Sequence, residues 1–182
     1  MQFEEEGSRI KDLRLILERV SFAATLFDPD GISIRFMNTV LSGQSQLIQD
    51  GVATEAQIDQ IMRGVQFKGL TPMGTQLREK VLDPIVLQKA RAVPPQMKKP
   101  VLVIAITDGQ PAGEPQNAVF DAIKDTFAQL DSSPYGRGAV AFEFAQVGND
   151  EMARKFLGKL DEDPNIGPFV DCTSSKFCAA PQ

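Results

Sequence analysis

The chain is 182 residues long, 42% hydrophobic and 24% charged, with a net charge of -5, the balance of an ordinary globular domain large enough to bury its own core. That acidity, with no basic cluster, argues against nucleic acid as the main partner, because such binding needs a basic surface to displace counterions. The absence of histidine removes the usual general base, the usual zinc ligand and every Ser-His or Cys-His nucleophile.

The first residues, MQFEEEGSR, are acidic where a signal peptide would be basic, and the longest apolar runs are far too short for a membrane helix. The expected location is therefore cytoplasmic, with no membrane partner. Glu4, Glu5 and Glu6 read as a solvated lead-in to a helix from Ser8 to Phe27. In that helix Ile10, Leu13, Leu17, Val20, Ala24 and Phe27 form one apolar stripe, widened by Ile16 and Ala23. Ser8 is a fair N-cap. Asp28-Pro29-Asp30-Gly31 is a turn by its chemistry, and Ile32 to Met37 alternates as a strand should.

Asn38 to Gly51 is a polar loop with a helical turn around Gln46 to Ile48. Thr54 and Gln57 have the spacing of a capping box and open a short helix that ends near Gly64. After the loop Gly69 to Thr75 comes a helix through Leu77, Val81 and Leu82. Pro84 falls inside it, which predicts a kink or a restart with Asp83 as cap. Ala92 to Pro100 connects to the most apolar stretch of the chain, Val101 to Ile106. This reads as a strand buried on both faces in the middle of a parallel sheet, ending in Thr107, Asp108 and Gly109. In open α/β sheets ligands bind at the carboxyl ends of strands, which makes Asp108 the first candidate for chemistry; the bland alternative is a loop carboxylate that caps the next helix.

A helix follows with Pro115 in its first turn and Val119, Ile123, Phe127 and Leu130 inward. Ala139 to Val147 is the next strand, with Val140, Phe142 and Phe144 on one face and Glu143 on the other. Gly148-Asn149-Asp150 caps a helix carrying Met152, Phe156, Leu157 and Leu160, and Phe169-Val170 suggests a short last strand. Cys172 and Cys178 are close enough in sequence to permit a disulfide, although two free thiols are the expected state in a cytosolic chain. Strands alternating with helices predict an α/β fold, a Rossmann-like, mostly parallel sheet with helices on both faces, in a single domain spanning 1–182.

Two loops, Thr71-Pro-Met-Gly-Thr75 and Ile106-Thr-Asp-Gly-Gln-Pro111, together resemble the second and third metal-site loops of a von Willebrand factor type A (vWA) domain. Gln146-Val-Gly-Asn-Asp150, with Phe156-Leu157 and Leu160-Asp161, resembles the stand-alone intracellular members of that family. The resemblance implies a non-enzymatic protein-binding module with a metal-ion-dependent adhesion site (MIDAS) at the carboxyl edge of the sheet. There Mg2+ would be held by Thr71 and Asp108, and a carboxylate from a protein partner would complete its coordination. The family's first strand and its Asp-x-Ser-x-Ser loop are not found. MQFEEEG cannot supply that strand, since three adjacent glutamates would enter the core unpaired. The chain thus resembles an N-terminally incomplete domain, and the lost strand represents on the order of 10 kcal/mol of burial. Mg2+ binding is expected to be weak or absent. Glu4 to Glu6 are a remote substitute, and the gap left by the strand would leave room for self-association. The rival reading is a Mg-dependent hydrolase or phosphotransferase of doubly wound fold with Asp108 at its active site and Asp171 as the best second acid. No GxxxxGK[ST] or GxGxxG loop supports it. A third reading is a purely structural fragment.

Overall fold

The computed structural model describes residues 8–94 and 96–174. It is a mixed α/β protein whose Cα positions cluster into two compact units, Met1–Gly69 and Leu70–Gln182. No helix among the described residues is long and apolar enough to cross a membrane. Glu4, Glu5, Glu6 and Cys178 lie outside the described residues.

The first unit is built on α1, Ser8–Phe27. Its buried positions are Arg9, Leu13, Leu17 and Ser21, spaced four apart, so the inward stripe is rotated from the predicted one. Phe27, expected inside, is 89% exposed, because the stripe precesses around a straight helix and has left the inner face by the last turn. The Ser21 hydroxyl donates to the Val52 carbonyl at 3.3 Å, which satisfies a buried polar group. The turn at Asp28 forms as its chemistry dictates: the Asp30 amide donates to Asp28 Oδ1 at 3.0 Å and Gly31 takes φ 71°. A Cβ at Gly31 would lie 2.8 Å from the backbone of Gly51 and Val52, so glycine is needed for the close approach as well as for the torsion.

The strand expected from Ile32 to Met37 does not form. Ile32 makes one isolated antiparallel bridge with Val52, and Ile34 donates to the Gln49 carbonyl at 2.8 Å. The partner segment is a tight turn, too short to continue a ladder, and Arg35 instead bonds Asp50 at 2.7 Å. A short helix α2, Gly43–Leu47, sits one turn earlier than expected. The capping box is present: α3, Glu55–Arg63, opens with Thr54 accepting from the Gln57 amide while the Gln57 side chain accepts from the Thr54 amide. Ile58 and Ile61 of α3 are fully buried.

The second unit opens with α4, Met73–Leu77, which runs without a break into a π-helical stretch, Arg78–Leu87, and then α5, Gln88–Arg91. Pro84 does not restart the helix with Asp83 as cap, the second of the two outcomes expected from the sequence. The wider turn, in which Gln88 donates to the carbonyl of Asp83 five residues back, absorbs the missing proline N–H and the ring's bulk. Asp83 and Pro84 are both exposed.

Among the described residues the sheet holds three parallel strands: β1 (Val101–Thr107), β2 (Val140–Gln146) and β3 (Val170–Ser174), in the order β1-β2-β3. Between them lie α6 (Ala118–Asp131) and α7 (Glu151–Asp161). Two successive crossovers in the same direction place their helices on the same side of a sheet when both have the usual right hand. Accordingly the face formed by Val103, Val140, Phe142, Phe144 and Val170 is buried. It carries the edge-to-face ring pair of Phe127 in α6 with Phe142 and the contact of Cys172 Sγ with the Leu157 carbonyl in α7. The other face carries Leu102, Ile104, Ile106, Ala141, Glu143, Asp171 and Thr173, exposed or half-buried.

β1 was expected to be buried on both faces in the middle of the sheet. Among the described residues it is an edge strand, and Leu102 is 63% exposed. An unbroken apolar run specifies a strand without specifying its place in the order. Pro115 lies ahead of α6 instead of in its first turn, and its carbonyl accepts from Ala118. Val119, Ile123, Phe127 and Leu130 are buried as predicted, whereas Met152 at the start of α7 is 52% exposed. Asp150 caps α7 as expected, accepting from the Ala153 amide at 2.7 Å.

Candidate functional site

The site lies wholly within the second unit, where the loop before α4 meets the loop after β1. β1 ends at Thr107, whose carbonyl accepts from the Val147 amide at 2.8 Å. Its hydroxyl folds over the next residue, donating to the Gly109 carbonyl at 2.7 Å and accepting from the Gly109 amide at 3.3 Å. Asp108 is thereby held at the carboxyl end of the strand, half-buried.

The Thr71 loop is zipped to this loop at three levels. The Thr71 carbonyl accepts from the Met73 amide at 2.8 Å and from the Ala112 amide at 2.9 Å. Leu70 lies so close to Gly113, at φ 82°, that a Cβ there would meet its side chain at 2.7 Å. Glu114 reaches across to the start of α4: its carboxylate accepts from the Gly74 amide at 2.8 Å, the Thr75 amide at 2.8 Å and the Thr75 hydroxyl at 2.9 Å. Negative charge is favoured at a helix start, where backbone donors lack intrahelical partners. Gly74, the glycine of the TPMGT segment, presses directly on the backbone of α6; a Cβ there would be 2.3 Å from Ala118.

The two residues singled out from the sequence, Thr71 and Asp108, thus belong to loops that the fold brings together, and both are half-buried. Asp171 stands exposed on β3, opposite Glu143. Sequence reasoning missed Glu114; nothing in its local spacing reports a contact with residues so far back in the chain. It also missed Gln146, which is 4% exposed at the end of β2 in register with Thr107. Its Nε2 donates to the Asp150 carbonyl at 2.7 Å, while its Oε1 accepts no hydrogen bond among the described residues.

The donors suit a hard cation in kind, a hydroxyl from Thr71 and a carboxylate from Asp108. They are few in number: no group of three or more acidic or cysteine side chains placed to hold a metal exists among the described residues. Cys172 offers no alternative site. Its half-buried thiol is pushed up to about 12 by burial first, and then by the charges of Asp161, Glu143 and Asp171, which leaves almost no thiolate at neutral pH. Comparisons of the chain with protein families, with curated proteins and with solved structures find no match.

Proposed function

We propose that the chain is a non-enzymatic, vWA-like protein-binding module whose Thr71 and Asp108 loops form the remaining part of a metal-ion-dependent site. The observation that carries this reading is the Ala112-to-Thr71 hydrogen bond in the loop after β1, which joins the two loops that the resemblance pairs. Asp108 would supply a carboxylate and Thr71 a hydroxyl to Mg2+, and a carboxylate from a protein partner would fill a further position. With so few protein ligands, the ion is held weakly and the partner's carboxylate is a substantial share of its coordination. The site contains no histidine and no thiolate to serve as base or nucleophile.

Thermal melting with and without about 10 mM MgCl2 tests the proposal, because a ligand that binds only the folded chain raises its stability by RT ln(1 + [L]/Kd). The expected result is a small rise in Tm with Mg2+ that is lost in both Thr71→Ala and Asp108→Ala. A rise that survives Asp108→Ala, or none in the parent chain, overturns the metal site. Turnover of a generic phosphate ester abolished by the same variant would make the protein an enzyme instead.

A further inference from the structure

We infer, on the basis of the function proposed above, that Thr107 is the positioning residue of the cation site: its buried hydroxyl, bonded to both backbone polar groups of Gly109, locks the turn that presents the Asp108 carboxylate to a divalent cation. Thr107 is 2% exposed and shares the inward face of β1 with Val103. A hydroxyl placed that deeply needs hydrogen-bond partners, and it finds them on the far side of Asp108. It donates to the Gly109 carbonyl at 2.7 Å and accepts from the Gly109 amide at 3.3 Å. Both bonds span Asp108, so the backbone of that residue is closed into a small ring. The base of the ring is anchored on the sheet, where Thr107 pairs with Gln146 and its carbonyl accepts from the Val147 amide at 2.8 Å.

Glycine is not what shapes this turn. Gly109 takes no left-handed torsion, and a Cβ built on it would meet no atom within 4 Å, so neither torsion nor space demands glycine there. The Thr107 hydroxyl is left as the group that fixes the conformation around Asp108. An ion held by few protein ligands binds in proportion to the fraction of chains whose carboxylate is already in place. Thr107 therefore acts on the ion through Asp108, by raising that fraction, and a side chain on a strand is a firmer support for it than the loop alone.

Mn2+ titration of the 15N-labelled chain, read by paramagnetic broadening and combined with amide hydrogen exchange at Gly109, tests this. In the parent chain the Gly109 amide is expected to be protected from exchange by at least about tenfold. Thr107→Val keeps the shape and removes the hydroxyl; it loses that protection and binds Mn2+ about tenfold more weakly, as a competent fraction reduced by the same factor requires, with unchanged circular dichroism. Thr107→Ser restores both properties to within about twofold, and Gly109→Ala leaves Mn2+ affinity as it is. A Thr107→Val chain that binds Mn2+ as the parent does, or a serine variant that fails to rescue it, overturns the role of Thr107 and leaves the metal site standing. An unprotected Gly109 amide in the parent overturns it without recourse to any variant. A loss in Gly109→Ala equal to that in Thr107→Val assigns control of the turn to the glycine and likewise overturns it. A parent chain in which Mn2+ broadens no amide removes the cation site itself, and this role with it.

Discussion

Gly74 and Glu114 show how much of the candidate site rests on single residues. Gly74 is required because the backbone of Ala118 occupies the space a side chain would need, so Gly74→Ala should destabilise the chain by about 2 kcal/mol, the usual cost of forcing a methyl into packed backbone. Unfolding in urea measures it, and an unchanged midpoint would show that α4 and α6 move apart freely. Glu114→Ala removes three hydrogen bonds to a charged acceptor. It should cost about 1.5 kcal/mol and loosen the 70–75 loop, seen as faster amide exchange at Gly74 and Thr75. Cys172 belongs to the same scale. A thiol raised from 9.0 to about 12 holds about a thousandfold less thiolate at pH 8 than an ordinary one. In a Cys178→Ser background it should therefore react with a thiol reagent only after unfolding, and rapid labelling of the native chain would contradict this.

At the scale of elements, helices and caps were legible in the sequence and sheet order was not. The end of α1 at Phe27, the capping box at Thr54 and the Asp150 cap are set by residues adjacent in sequence, where spacing alone carries the signal. The place of β1 at the sheet edge and the failure of Ile32 to Met37 to form a strand depend on partners far along the chain, which periodicity does not encode. Pro84 shows a third case, in which a local rule was overridden because a wider helical turn accommodates the ring. Since Asp83 lies within that helix and is not its cap, Asp83→Ala should change stability by less than about 0.5 kcal/mol, against about 1 kcal/mol for a true cap such as Asp150→Ala. Of the candidate site, Thr71 and Asp108 were singled out from their own loop motifs, and the fold joins those loops; Glu114 was not, because its contacts exist only in the folded pairing of those loops.

For the whole molecule, surface ion pairs set how stability responds to pH more than how large it is. Asp163 accepts from Lys124 at 2.9 Å and from the Asn165 amide at 2.8 Å, and the Lys124 bond is the main cause that holds its carboxyl below the usual range. A carboxyl depressed in the folded state adds stability that is present above its unfolded pKa and is lost as pH falls through the folded one. Lowering pH from about 5 to about 3 should thus destabilise the parent chain more than Asp163→Asn, by no more than about 1 kcal/mol given the solvent screening of a surface pair. The Tm difference between the two chains, followed across that window, checks the sign.

The proposed function requires the Thr71 and Asp108 loops to act as one cation-dependent corner. Titrating the 15N-labelled chain with Mn2+ up to about 10 mM, a concentration suited to a weak hard-cation site, reads this directly through paramagnetic broadening of individual amides. The account predicts broadening confined to residues 70–75 and 107–114, competed by Mg2+ and absent in Asp108→Ala. Amides there that stay sharp, or broadening that persists in that variant, would contradict it.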